Sequence, residues 1–333
     1  MIQVLLYIGN NDNRKTTILN DLSRLQSDYP HQLHIINITE DPVLNEEFGE
    51  KSPVLDIGIY RLIWDFDKSE IQKAFSKSTE RLEEAESKGN RALVERITLP
   101  LNLTKTDQFS RWFSKHYMLL VNGFTFLYVF LAILAPIFMQ VGWQHPGQMI
   151  YKIYRPLCHQ LAFRSFFLFG EQLYYPRELA GVKGVISYSD ATGYDDYDLE
   201  TARDFLGDET LGYKIALCQR DIAIYSMILL FGIGFSLSGR KIKPLPWFLW
   251  LILGLGPIGL DGFSQLLSQS GFSFLNWLPL RESTPLLRTL TGAFFGLATA
   301  WFGFPYLEES VQGNRQEMQL KAAITKQMDE KLS

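Results

Sequence analysis

Four long apolar runs divide the chain. They cover 117–141, 218–237, 247–267 and 285–306, and before residue 117 no run of that length occurs. Each is close to the ~20 residues that a helix needs to cross a bilayer. The sequence therefore predicts four membrane-spanning helices preceded by a different kind of domain. That first part carries short runs of mixed period. Ile2 to Ile8 reads as a buried strand. Ile18, Leu19, Leu22 and Leu25 have helical spacing within 14–25, and 33–38 reads as a second strand. Asp41-Pro42 opens a short helix through Phe48, a hairpin-like stretch leads to Trp64, and a helix starts near Lys68. Between 69 and 97 charges recur every three or four residues, the mark of a solvated helix, and 98–106 reads as a linker.

The expected fold class is α+β: an N-terminal α/β domain (1–78), a charged helical linker (79–110), an all-α membrane domain (111–308) and a charged helical tail (309–333). Composition agrees, since a mean hydropathy of −0.02 averages a charged part with a strongly apolar one. A formal charge of −4 gives no reason to expect nucleic acid as a partner. Two cysteines exclude a disulfide-rich scaffold and a four-cysteine zinc module. The start, MIQVLLYIGNNDN, has no basic leader, so the first domain is expected to stay in the cytoplasm.

Basic residues set the expected orientation. Lys105, Arg111 and Lys115 precede the first run, and Arg240, Lys241 and Lys243 lie between the second and third. Both groups are expected on the cytoplasmic side of the cell membrane, with both termini inside. Residues 142–217 and 268–284 then face outward. Within them 151–170 is too apolar for a loop and too interrupted to span, so an interfacial or re-entrant helix is expected. The outer loop 171–213 holds ten acidic residues against three basic ones and reads as a folded acidic cap. Its carboxylates do not have EF-hand spacing.

The β-α-β-α-β-β-α order of the first domain resembles the thioredoxin fold in its small glutaredoxin-like branch, with Ser52-Pro53-Val54 similar to that fold's cis-proline turn. The family's Cys-x-x-Cys belongs where this chain reads GNNDNRK, and no cysteine precedes Cys158. Thiol exchange needs a thiolate, so the domain is expected to dock a protein partner or to serve structurally.

The chemistry concentrates around RPLCHQLAFRSFF, residues 155–167. On the expected topology several segments bring polar groups to one membrane level. They are Cys158, His159, Gln160, Arg164 and Ser165; then Cys218, Arg220 and Asp221; then Asp261 and Gln265; then Arg281, Glu282 and Arg288. Such groups are costly to desolvate and mark sites when they gather. Gly292, Gly296 and Ala300 form a small-residue stripe that lets helices approach closely. Arg288, one turn earlier on that stripe, is expected to point inward and to pair with Asp261 and Asp221.

At CHQLAFRSFFLFG, CQRDIAIY, DGFSQLL and RESTPLLRTLTGAFFG the chain closely resembles the family of uncharacterised multi-pass membrane proteins called domain of unknown function 2085, over about 155–306. The resemblance implies a site without implying a reaction, so whether the chain is an enzyme stays open. Relatives with Cys-x-Arg-Cys at 218–221 have a cysteine where this chain has Asp221. Three readings stand side by side. Cys158, His159, Cys218 and Asp221 suit zinc or another divalent metal. Cys158 and Cys218 suit a disulfide, as a staple or a redox pair. The buried polar groups also suit a solute or ion pathway or a structural subunit, with a homo-oligomer as one arrangement.

Overall fold

The computed structural model describes residues 1–99, 101–270, 277 and 279–330. Pro100 of the expected linker, 271–276 and 278 of the loop before Arg281, and 331–333 of the tail lie outside the described residues. The chain forms two compact units, Met1–Lys115 with Val311–Ser333, and His116–Ser310.

The first unit is built on a four-stranded sheet in the order β2-β1-β3-β4, with β1 Ile2–Ile8, β2 His31–Asn37, β3 Val54–Ile57 and β4 Tyr60–Ile63. β1 pairs parallel with β2 and antiparallel with β3. Helix Lys15–Leu25 supplies Ile18, Leu22 and Leu25 to one face of the sheet, beside Ile71 and Phe75. Asp41 caps helix Pro42–Phe48 by accepting from the Val43 amide at 2.8 Å. Asp67 and Glu70 form a capping box at the start of helix Lys68–Ser87. The Ser52–Pro53 peptide is cis.

The stretch 69–97 is not a free solvated helix. It breaks at Gly89, and helix Arg91–Thr98 restarts with Asn90 as its cap. Ile71, Ala74, Phe75, Leu82 and Leu93 form a stripe that packs on the sheet beneath the charged face. The tail covers the opposite face: Ala323, Ile324 and Met328 pack with Tyr7, Ile36 and Phe48. The Gln327 side chain pairs with both backbone groups of Asn37, at 2.8 Å each, at the end of the edge strand β2.

Among the described residues, the second unit contains the apolar parts of four helices long and apolar enough to cross a membrane: Lys105–Gln140, Gln219–Leu237, Trp247–Ser268 and Pro285–Glu330. Only 11–33% of their most apolar windows is buried, so most of that surface turns outward, as lipid contact requires. In the third, residues Trp250–Leu255 form a π turn ahead of Pro257. Proline has no amide proton, and the wider turn absorbs the shift in hydrogen bonding.

The unit is not all-α. Helix Gln144–Tyr154 stops before Pro156, and Ser165–Leu168 is a strand, β5, rather than part of an interfacial or re-entrant helix. Pro156 disfavours helical continuation, and Ser165 and Phe167 turn one way while Phe166 and Leu168 turn the other. β5 joins β6 (Gly207–Asp208) and β7 (Gly212–Cys218) in an antiparallel sheet of order β5-β7-β6. The acidic segment closes over that sheet with Phe163, Phe167, Tyr175, Tyr188, Ala202 and Leu211 as its core. Its carboxylates have local work: Asp198 caps helix Leu199–Asp204, and Asp195 accepts from the Tyr197 amide.

Gly292 and Gly296 meet the second span. A methyl at Gly296 would lie 2.2 Å from the Ile224 carbonyl oxygen, and one at Gly292 2.6 Å from that of Arg220. Gly296→Ala should therefore cost about 1–3 kcal/mol in thermal unfolding of the detergent-solubilised protein. Gly303→Ala, where a methyl meets nothing within 4 Å, should leave the midpoint unchanged. Equal midpoints for both variants would refute the close approach.

Lys214 on β7 is fully buried, and its amine donates to the carbonyls of Gln160 at 2.7 Å and Arg203 at 2.6 Å. Burial lowers its pKa to about 7, where a neutral amine with two N–H groups serves both acceptors. The unfolded value is higher, about 10.4, so between these values the unfolded chain binds the extra proton and stability rises with pH. From pH 7 to 9.5 wild type should gain on Lys214→Met by roughly 3 kcal/mol. A stability difference that does not change with pH would contradict a depressed Lys214 pKa.

Candidate functional site

The site grows from the junction of β7 and the second span. Cys218 ends the strand and caps the helix, its sulfur accepting from the Asp221 amide at 3.4 Å. The Cys218 amide donates to the Cys158 sulfur at 3.3 Å, because the chain after helix Gln144–Tyr154 turns back toward β7. Gln160 fixes that turn. It has a positive φ of 54°, and its side-chain amide donates to the carbonyls of Tyr151 and Ala216 at 3.1 and 3.0 Å. Ser165 opposes Cys218 across the sheet, and its hydroxyl donates to the Leu161 carbonyl.

The two sulfurs and an Asp221 carboxylate oxygen lie within 4.8 Å of one another. Both thiols are free. The neighbouring Cys218 thiol holds Cys158 below the ordinary thiol pKa, against the opposing effect of burial. His159 does not join this trio. It is exposed while Cys158 is buried, since the side chains of adjacent residues diverge here.

A second cluster lies under the first. Glu282, 5% exposed, accepts from five side chains. Arg164 reaches it at 3.0 Å, Gln265 at 2.9 Å, Gln269 at 3.1 Å and Arg177 at 3.4 Å, and Arg288 completes the set. Asp261, 4% exposed, binds Arg281 at 2.7 Å, the Ser283 hydroxyl at 2.8 Å and Arg220. Arg288 thus pairs with Glu282, not with Asp261 or Asp221 as the sequence suggests. Glu282 lies beside the start of its helix, and the other two guanidiniums already occupy Asp261.

Gln265 accepts from Arg288 while donating to Glu282, which links the third span, the following loop and the fourth span. Arg220, on the second span, adds that helix through Asp261. A cavity of about 360 Å³ opens between the clusters, lined by Cys158, Cys218, Asp221, Arg164, Arg220 and Arg288 among others. All the expected site residues but His159, Gln160 and Ser165 therefore contribute a side chain either to the thiol–carboxylate trio or to the ionic cluster. Gln160 and Ser165 serve the backbone around it.

Sequence reasoning missed Arg177, Gln269, Ser283 and Lys214. Arg177 stacks on Phe163, 4.2 Å from the ring centre to the guanidinium carbon. Nothing in the acidic segment marks it. Lys214 did leave a signal, a lone lysine in the apolar GYKIALC.

Comparison with known proteins places these residues in a family context. The chain is 26% identical over 206 residues to an uncharacterized protein of Methanocaldococcus jannaschii, covering 59% of this chain and 96% of that protein. No solved structure matches the chain. Residues 209–302, which include Cys218, Asp221, Asp261, Glu282 and Arg288, match the DUF2085 family of predicted membrane proteins, the family that the sequence motifs resemble.

Proposed function

We propose that the protein is a multi-pass protein of the cell membrane whose Cys158, Cys218 and Asp221 bind a divalent metal, zinc by preference, on the outer face. One observation carries this reading: two sulfurs and a carboxylate oxygen, from two segments far apart in sequence, lie within 4.8 Å. In a tetrahedral zinc site, bonds of about 2.3 Å to sulfur bring donor atoms to roughly 3.5–4 Å from each other, so small side-chain movements suffice. Two thiolates and one carboxylate would leave the zinc complex with a single negative charge, which Arg220 beside it favours. A fourth position is left to water or to a ligand.

The same proximity supports a second reading, a Cys158–Cys218 disulfide, since the outer face permits oxidation. The orientation rests on the basic residues before the first span and between the second and third. The first domain, which has a thioredoxin-like order of elements and no cysteine, serves to dock a partner.

Metal analysis of the detergent-purified protein should find about one zinc per chain, lost in Cys158→Ser and Cys218→Ser. Absence of metal, with thiols that alkylate only after reduction, would replace the metal reading by the disulfide. Ser189→Cys should react with an impermeant reagent in intact cells and Ser238→Cys should not; the reverse pattern would invert the topology.

A further inference from the structure

Five guanidiniums converge on two carboxylates at one end of the helices: Arg164, Arg177 and Arg288 on Glu282, and Arg220 and Arg281 on Asp261. Among the described residues, Asp221 is the one further carboxylate on the wall of the adjoining cavity. Of the five guanidiniums, Arg164, Arg220 and Arg288 line that cavity, and Arg177 and Arg281 do not. Both carboxylates are nearly inaccessible, and Arg288 is 4% exposed. Arg164 and Arg220, at 26% and 21% side-chain exposure, present positive charge to the cavity, and an anion there would complement it.

The hydrogen bonds point the same way. A carboxylate offers about four lone-pair sites, and Glu282 already accepts from five side chains. It has nothing left for further donors. Among the described residues, the buried Nε of Arg220 has no hydrogen-bond partner. Among the described residues, Arg164 and Arg288 make their side-chain hydrogen bonds through Nε and Nη2. Arg220 makes its own through Nη2. Their remaining N–H groups belong to three arginines that line one cavity of about 360 Å³. That volume is within the range of small-molecule sites, about 300–1,000 Å³.

We infer that this cavity binds a phosphate group, held by Arg164, Arg220 and Arg288. Three guanidiniums from three segments suit a tetrahedral oxyanion with several acceptor oxygens. The group could belong to a free phosphate or to a lipid headgroup, and both would be recognised by the same donors. The inference rests on the arginines and does not depend on metal at the thiols. Because Cys158 and Cys218 line the same cavity, a bound phosphate also covers them.

The test follows alkylation of Cys158 and Cys218 by a maleimide in the full-length protein, read by mass spectrometry in the presence of a chelator. Inorganic phosphate should slow alkylation in a saturable way, and chloride at equal ionic strength should not. Arg220→Gln should weaken the phosphate midpoint on the order of tenfold or more, the size of a lost charge-assisted hydrogen bond. Arg164→Gln, at a more exposed position, provides a second variant if the first does not remain monodisperse. If the thiols are oxidised, the same titration is read by the thermal midpoint, which a ligand of the folded state raises.

A parallel arm compares nanodiscs of phosphatidic acid with nanodiscs of phosphatidylcholine. Protection by free phosphate identifies a soluble ligand, and protection only in phosphatidic acid identifies a lipid headgroup. The inference is overturned if neither phosphate source protects, if chloride protects equally, or if protection appears only after zinc is added. The last result would place the anion on the metal instead. Loss of the metal reading alone leaves the phosphate titration intact.

Discussion

A carboxylate taken out of water must be paired, or it becomes neutral. Glu282 is taken out of water where the third and fourth spans meet, and it satisfies that demand with Arg164, Arg177 and Arg288. Each arginine comes from a different part of the second unit: the turn before β5, the acidic segment, and the fourth helix. The segment over the sheet is thus tied to the helices by ions as well as by its apolar core. Asp261 repeats the device one step away, drawing in the second span through Arg220. Remove the carboxylates and five guanidiniums face each other across a low-dielectric gap, so the geometry of the cavity and of the thiols above it depends on these two anions.

That dependence explains why the spans can be so sparsely packed against each other. Glycine contacts at Gly292 and Gly296 bring the second and fourth helices close, but most of each apolar window is not buried within the protein. Apolar packing gives little specificity when lipid tails offer the same contacts. Buried ionic pairs are directional, and here they set which helices meet and at what height. The opposite end of the helices has a smaller counterpart, in which Glu308 meets Arg240 and Tyr117.

The four spans were legible because length and apolarity alone define them. The spacing of Cys218 and Asp221 was legible because it is local. Cys158 reaches them through the turn held by Gln160 and the pairing of β5 with β7, two strands interrupted by a bulge and read from sequence as helix and loop. An apolar stretch of mixed period does not declare its period, and Pro156 was the one local sign against a helix. Arg177 pairs with a carboxylate 105 residues away, and such a contact leaves no trace in composition or spacing. His159 reaches the cavity wall but not the trio, for the opposite reason. Residue type suggested a ligand, while the turn held by Gln160 directs its neighbour inward and leaves the imidazole exposed.

Glu282 and its arginines act as one coupled unit. A double-mutant cycle in thermal or denaturant unfolding tests it most directly, with Glu282→Gln, Arg288→Met and the pair. Glu282→Gln alone should be strongly destabilising, about 3–5 kcal/mol, because it leaves buried guanidiniums uncompensated. The double variant should lose less than the sum of the singles, by about 1–3 kcal/mol of coupling. Effects that simply add, within about 0.5 kcal/mol, would contradict the account.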